Sequence, residues 1–242
     1  MPKGGRAPFV ALADLLARDR PDVDASAVVD GRVLVDGRVL MNPNAHVRRD
    51  ASIRVVEPRR LRGDIKLSYA LDEFDVRVDG RVAMDVGANA GGFTIALLAR
   101  GARRVHAVDA GVGQLLGRLR ADPRVVNLEG HNVGALDTTV VRDTLEVITV
   151  DVSYLSLADA VPQLERVRIH AGADLVALVK PTFELRRGRV AASAPDVVAA
   201  TDQAASAISR SGWHVIATCD APATGQHGGR ESFIHARRRS LS

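Results

Sequence analysis

Seven apolar runs constrain this chain more than any other feature: RVAMDV (81–86), RRVHAVDA (103–110), RVVNLE (124–129), LEVITVDV (145–152), ADLVALVK (173–180), WHVIATC (213–219) and SFIHAR (232–237). Helical periodicity fills most of the intervals, near 65–76, 91–100, 112–121, 155–166 and 194–211. Strands apolar on both faces that alternate with helices predict an α/β domain whose mostly parallel sheet is covered on both sides. Only the turn-rich DAPATGQHGGRE separates the last two runs, which predicts a terminal antiparallel hairpin.

The pattern before residue 61 is different. FVALADLLARDRP has helical spacing, and GRVLVDGRVLMNP reads as two short strands around an Asp36-Gly37 turn. The stretch from Ala51 to Arg62 is charged and irregular, with Pro58 and Gly63 as breakers. Two domains are therefore expected: a small α+β unit over 1–60 and the α/β domain over 61–242.

The polar residues of the larger domain fall in one place. Asp85, Asp109, Asp151 and Lys180 each stand at or near the carboxyl end of a different expected strand, the edge where open α/β sheets bind ligands. Strand 81–86 runs into DVGANAGGFT, whose Gly87, Gly91 and Gly92 allow a sharp turn and a close approach at the start of a helix. The spacing is not G-x-G-x-x-G, so no dinucleotide fingerprint is met. Asp109 lies about 20 positions further on, where such folds place a carboxylate that accepts from ribose hydroxyls. A cofactor containing a nucleoside is the expectation.

Lysine usage narrows the chemistry. Lys3, Lys66 and Lys180 are the only lysines among 33 basic residues; the rest are arginine. Lysine can give up its proton in a suitable environment and arginine cannot, so a lysine kept at a ligand edge points to proton handling. Cys219, the only cysteine, excludes an internal disulfide framework and a cysteine-based zinc cluster. The histidines, His106 and His131 among them, show no metal-ligand spacing, and no metal site is expected. Charges interrupt the N-terminus, and no apolar run reaches the roughly 18 residues of a membrane span, so a cytoplasmic, soluble protein is expected. The net charge of +4 is compatible with a nucleic-acid partner without requiring one. Trp213 and Phe233 are expected in the core, Phe183 in the core or against a base, and Glu184 as a solvated loop acid.

The motifs DVGANAGGFT, VDAGVGQL, DPRV, DVSYLSL, LVKPTFE and GRESFIH, in this order and spacing, resemble those of the TlyA-type ribosomal RNA 2′-O-methyltransferases. In these proteins an S4-like RNA-binding domain precedes an FtsJ-like domain. The resemblance runs from about Gly63 to His235. It implies a class I methyltransferase fold, S-adenosyl-L-methionine as cofactor and ribosomal RNA or a ribosomal subunit as partner. It also implies a catalytic Lys-Asp-Lys-Glu set, which carries over onto Lys66, Asp151, Lys180 and Glu231. For the cofactor it implies Asp85, Gly87, Ala88, Asn89, Gly91, Gly92 and Phe93 in the glycine loop, Asp109 at the ribose, Asn132 near the adenine, and Asp151.

The chain departs from the family at substrate-facing positions. The basic helix usual before the S4 hairpin is replaced by the shorter, acidic DVDASAVVDGRVLVDG, LRGD precedes the first catalytic lysine, and the segment after KPTFE shrinks to LRRGRVAASAPD. Phosphate binding depends on cations, so the N-terminal domain is expected to hold RNA weakly. A small-molecule acceptor, or an inactive RNA- or ribosome-binding protein, stand as the alternatives to an rRNA methyltransferase.

Overall fold

The computed structural model describes residues 9–24, 26–56, 60–186, 193–222 and 229–239. Lys3, Pro58 and parts of the connections after Arg186 and after Pro222 lie outside them. The chain divides into two compact units, Met1–Arg60 with Leu116–Ala121, and Leu61–Leu115 with Asp122–Ser242.

In the first unit, β1 (Phe9–Ala11) leads into α1 (Leu12–Asp19), followed by α2 (Ser26–Val29), β2 (Val33–Val35), β3 (Arg38–Val39), β4 (His46–Arg48) and β5 (Ile53–Val55). Asp36 and Gly37 both adopt left-handed backbone, φ 48° and 78°, as the two-residue hairpin between β2 and β3 requires. Leu12, Leu15 and Leu16 face one way at helical spacing and are buried with Val28, Val33, Val35 and Val47. Each such burial is worth about 1.5–3 kcal/mol. Two expectations fail here. Phe9–Ala11 pairs with β4 as a strand instead of starting the helix, and Ile53–Val55 pairs with β2 inside the stretch expected to be irregular. Both strands are three residues long and are defined by partners distant in the chain, so no local period marks them.

The second unit begins with α3 (Arg62–Glu73), β6 (Val82–Val86), α4 (Gly92–Ala99) and β7 (Arg104–Asp109). The helix expected over 112–121 shrinks to α5 (Gly117–Ala121), which belongs to the first unit. Gly113 has φ 77°, and the N–H groups of Gln114 and Leu115 donate to the Glu129 carboxylate, so the backbone there is committed to a turn. Next come β8 (Val125–Glu129), β9 (Leu145–Val150), α6 (Leu157–Ala160), β10 (Ile169–Val179), α7 (Pro181–Glu184), α8 (Ala194–Arg210), β11 (Trp213–Asp220) and β12 (Ser232–Arg238). Past α6, residues 161–166 tighten into a 3-10 helix with Pro162 in its first turn, where the sequence suggested one continuous helix.

The main sheet has the order β11-β12-β10-β9-β6-β7-β8. The five central and distal strands are parallel, and β12 runs antiparallel to both β10 and β11, as the terminal hairpin requires. The chain builds outward from β6 to β8 and then returns to lay β9 against the other side of β6. This reversal between β6 and β9 is where an α/β sheet opens a crevice at its carboxyl edge. Trp213 and Phe233 are fully buried, and Ala200, Ala204 and Ile208 of α8 close one face of the sheet.

Candidate active site

A cavity of 660 Å³ opens at the carboxyl edge of the sheet over the β6/β9 switch. Gly87, Ala88, Asn89, Gly92, Phe93, Asp109, Asp151, Lys66, Lys180 and Glu231 all line it. These residues come from the ends of five strands and from two helices, α3 and α4.

Register explains the floor of the cavity. Val86 is opposite Val150, so the loop after β6 meets the end of β9 directly. Gly87 has φ 91°, and a Cβ there would stand 2.4 Å from the Asp151 carbonyl oxygen. The glycine is thus required by backbone packing within the sheet edge as well as by room for a ligand. A second close approach pairs Gly92, on α4, with Gly63, on α3: a Cβ on Gly92 would lie 2.9 Å from the Gly63 Cα. This contact brings the start of α3, and with it Lys66, up to the glycine loop. Gly63 reads in the sequence as a simple breaker, because its partner is distant along the chain.

Asp109 ends β7 and accepts from the Asn89 and Gly111 backbone N–H groups, each at 2.7 Å. Each carboxylate oxygen has acceptor capacity left beyond these bonds, and Asp109 lines the cavity, which suits it to accept from vicinal hydroxyls. Val112, exposed, follows this turn, while His131 and Val133 line the same cavity. The His131 ring Nδ1 lies 3.1 Å from the Glu129 carbonyl. A polar end with a carboxylate acceptor and an apolar end beside it fit a nucleoside.

Three residues expected to touch the cofactor are placed otherwise. Asp85 is completely buried beneath the loop, accepting from Thr94 Oγ1 at 2.7 Å. Burial pushes its carboxyl up to about 7, against the Thr94 hydrogen bond and with the Asp151 charge adding to the rise. Asp85 therefore supports the glycine loop from below. Gly91 does not line the cavity but turns the chain into α4 with φ 94°. Asn132 is likewise absent from the lining; its side chain accepts from the Ala135 N–H at 3.0 Å and caps the 3-10 helix Val133–Ala135.

The two lysines are held in different ways. Lys66 and Glu231 form a buried ion pair between α3 and the residue before β12, with side chains 7% and 9% exposed. Lys180, at the end of β10, meets Asp151 at 2.5 Å and donates to Ser153 Oγ at 2.7 Å, with Lys180 and Asp151 17% and 25% exposed. Asp151 Oδ1 is shielded from solvent and faces the ammonium as a charge, without a well-aligned hydrogen bond. Pairing of Val179 with Ser232 brings Glu231 to the same end of the sheet as Lys180. Ser153 escaped the sequence reading, although it lies two residues from Asp151 in the same motif.

Glu184 was expected in solvent and is buried instead, 2% exposed. Its Oε1 accepts from the Leu157 N–H at 2.7 Å, and burial pushes its carboxyl up to about 7. Phe183 is half-buried and lines the cavity, as does the exposed Tyr154. Arg62 and Arg230, both exposed, line its mouth, and neither forms an ion pair among the described residues. No group of three or more His, Cys, Asp or Glu able to hold a metal ion occurs among the described residues, and no helix there is long and apolar enough to cross a membrane.

Comparison with known proteins agrees with this geometry. Residues 59–239 match the FtsJ-like methyltransferase family. The chain is 39% identical over 181 residues to the 16S/23S rRNA (cytidine-2′-O)-methyltransferase TlyA of Mycobacterium tuberculosis, covering 73% of this chain and 67% of that protein. It is 37% identical over 150 residues to Hemolysin A of Brachyspira hyodysenteriae, covering 60% of this chain and 62% of the relative. Among solved structures, a candidate hemolysin from Streptococcus thermophilus superposes with a TM-score of 0.70 at 26% identity, over 96% of this chain and 90% of the other. The chain belongs to the FtsJ-like methyltransferase family and is an S-adenosylmethionine-dependent methyltransferase.

Proposed function

We propose that this member of the FtsJ-like methyltransferase family methylates a ribose 2′-hydroxyl of ribosomal RNA. The observation that carries the reading is the pair of carboxylate-bound lysines, Lys66–Glu231 and Lys180–Asp151, lining one cavity at the β6/β9 switch. The similarity to an rRNA (cytidine-2′-O)-methyltransferase supports the choice of acceptor.

The residues present fit the cofactor. Gly87, Ala88, Asn89 and Gly92 would hold its methionine end, and Asp109 its ribose; His131 and Val133 would border its adenine. When bound, S-adenosylmethionine supplies an electrophilic methyl group. The acceptor hydroxyl is the nucleophile, and the chain must activate it. A hydroxyl reacts poorly while protonated, so a base at the oxygen accelerates transfer by about 10²–10⁴. Lys180 is that base in the neutral form, after its ammonium proton has passed to solvent at the cavity lip; Asp151 and Ser153 fix the direction of its nitrogen. Lys66, locked to Glu231, adds a fixed positive charge beside the oxygen as negative charge develops.

Arg62 and Arg230 favour a polyanionic acceptor, since exposed guanidiniums at the mouth suit backbone phosphates. The N-terminal unit plays the part of a weakened S4-like RNA-docking domain. Its Arg18, Arg20 and Arg48 are each paired with a neighbouring aspartate, Asp19, Asp22 and Asp50, which leaves fewer cations for phosphate. A cytoplasmic site of action fits a ribosomal acceptor.

The test is transfer of labelled methyl groups from S-adenosylmethionine to ribosomal subunits, naked rRNA and a small-metabolite extract. Label in RNA at an alkali-resistant, 2′-O-methylated dinucleotide is expected. Label confined to the metabolite fraction overturns the acceptor, and cofactor binding without transfer to any fraction overturns the catalytic assignment.

A further inference from the structure

The segments 151–157 and 180–184 run beside each other and are tied at two levels. The upper tie is Lys180, which meets Asp151 at 2.5 Å and donates to Ser153 Oγ at 2.7 Å. The lower tie is Glu184, whose Oε1 accepts from the Leu157 N–H at 2.7 Å. Between Lys180 and Glu184 lies a single turn of helix, closed by the Phe183 N–H on the Lys180 carbonyl at 2.9 Å. The turn is anchored from behind, since Gln203 Nε2 of α8 donates to the Glu184 carbonyl at 2.9 Å.

We propose that Glu184 is a positioning residue for methyl transfer: its carboxyl group clamps the loop carrying Asp151 and Ser153 to the turn carrying Lys180, and so sets where the Lys180 nitrogen points. The proposal rests on the reading of Lys180 as the base.

Three observations support it. A buried carboxyl is expensive and is kept only where it makes a contact that matters. Here the sole hydrogen bond given to the Glu184 carboxyl crosses between the two segments of the site, and Oε2 has no partner among the described residues. A solvated or apolar side chain would satisfy the fold of a four-residue turn at lower cost. This bond holds the two segments together below the level of Lys180, with the exposed Arg186 reaching Asp159 at 3.8 Å just beyond it, and positional errors of about 1 Å are enough to lower rates by about 10². Finally, the raised carboxyl, at about 7, shows that the neutral form is accommodated, and a neutral amide can make the same bond.

The chain's lysine economy gives a direct test. Lys3, Lys66 and Lys180 are its only lysines, so trace acetylation of the full-length protein followed by mass spectrometry reports each by position. Lys66, buried against Glu231, is the internal control for global loosening. In Glu184→Ala, Lys180 labelling is expected to rise about tenfold, the effect of losing one hydrogen-bonded restraint, while Lys66 stays at the wild-type level. Glu184→Gln restores the wild-type pattern. Glu184→Asp, which keeps the carboxyl group but shortens the reach, behaves as the alanine variant and decides the matter should the latter fail to fold.

In methyl-transfer assays, kcat falls about tenfold in Glu184→Ala with the cofactor KM unchanged, and recovers in Glu184→Gln. Unchanged Lys180 labelling in both the alanine and aspartate variants overturns the proposal, and so does a parallel rise at Lys66, which would mark a purely structural role. Altered labelling with no change in kcat overturns instead the reading of Lys180 as the base. Because labelling needs no acceptor, the clamp is judged independently of whether rRNA is the substrate.

Discussion

The two lysine–carboxylate pairs occupy one cavity and are built on opposite principles. Lys66–Glu231 joins α3 to the chain just before β12 and is almost sealed from water. Lys180–Asp151 joins two adjacent strand ends, retains partial exposure and has a hydroxyl, Ser153, as a third member. A buried pair is costly to break, because either partner left alone is an unpaired charge in the interior. A pair at the lip can exchange one partner for solvent or substrate with little loss. In the proposed mechanism this contrast corresponds to a fixed charge on one lysine and a movable proton on the other.

The largest effect expected is on catalysis at the lip. Lys180→Ala and Lys180→Arg should lower methyl transfer by about 10²–10⁴, with thermal unfolding close to wild type. Arginine fails as well as alanine because it holds its proton. Activity in Lys180→Arg near the wild-type rate would break the comparison, making the lip lysine a simple cation.

Next in size is stability at the buried pair. Glu231→Ala should cost about 3–5 kcal/mol in chemical denaturation, whereas Asp151→Ala should cost about 1 kcal/mol or less. The double variant Lys66→Met with Glu231→Leu should recover most of the stability and none of the activity. Equal losses for Glu231→Ala and Asp151→Ala would show that burial does not distinguish the pairs.

Two buried acids sharpen the same contrast through pH. Asp85 under the glycine loop and Glu184 under the Lys180 turn are each pushed up to about 7 by burial. In the unfolded chain these groups ionise near their ordinary values of 3.8 and 4.5, so the folded state holds the extra protons. Stability should therefore fall as pH rises from about 4 to about 7 and then level, by on the order of 3 kcal/mol for each group. Glu184→Gln should remove its share of that decline in melting curves taken from pH 5 to 8.

Asp174 has the opposite sign. Burial works to raise it, but His235, Arg81 and Arg237 outweigh that and hold it at about 2. Its contribution is present above about 4 and is lost as pH falls toward 2.

The smallest effect is expected away from both pairs. Asn132→Ala removes a cap and should cost about 1 kcal/mol, leaving cofactor affinity by calorimetry within about twofold, less than the 1.4 kcal/mol of a tenfold change. A large loss of affinity would return Asn132 to the cofactor site.

Most of the sheet was legible because its strands are continuous apolar runs, and the site's location because charged residues end them. Asp151 and Lys180 stand out as charged strand ends, Lys66 and Glu231 were reached through motif resemblance, and the fold brings all four to one cavity. Ser153 and Glu184 were missed or misread for one reason: each matters through a partner on another segment, and nothing about a serine or glutamate in a loop announces that partner. Gly63 was misread in the same way, since its need to be small comes from Gly92 across the α3/α4 contact.

The sequence by itself determined the class of the fold, the edge of the sheet where ligands meet it and the residue types available for moving a proton. These follow from periodicity, turn chemistry and composition, which are local. Tertiary structure alone decided which lysine is sealed and which is open, that Asp85 supports the loop from beneath, and that Glu184 lies between the segments carrying Asp151 and Lys180. Burial and charge pairing depend on what the chain packs against them from far along its length. Register between β6 and β9, and between β10 and β12, therefore turned a set of polar strand ends into a site.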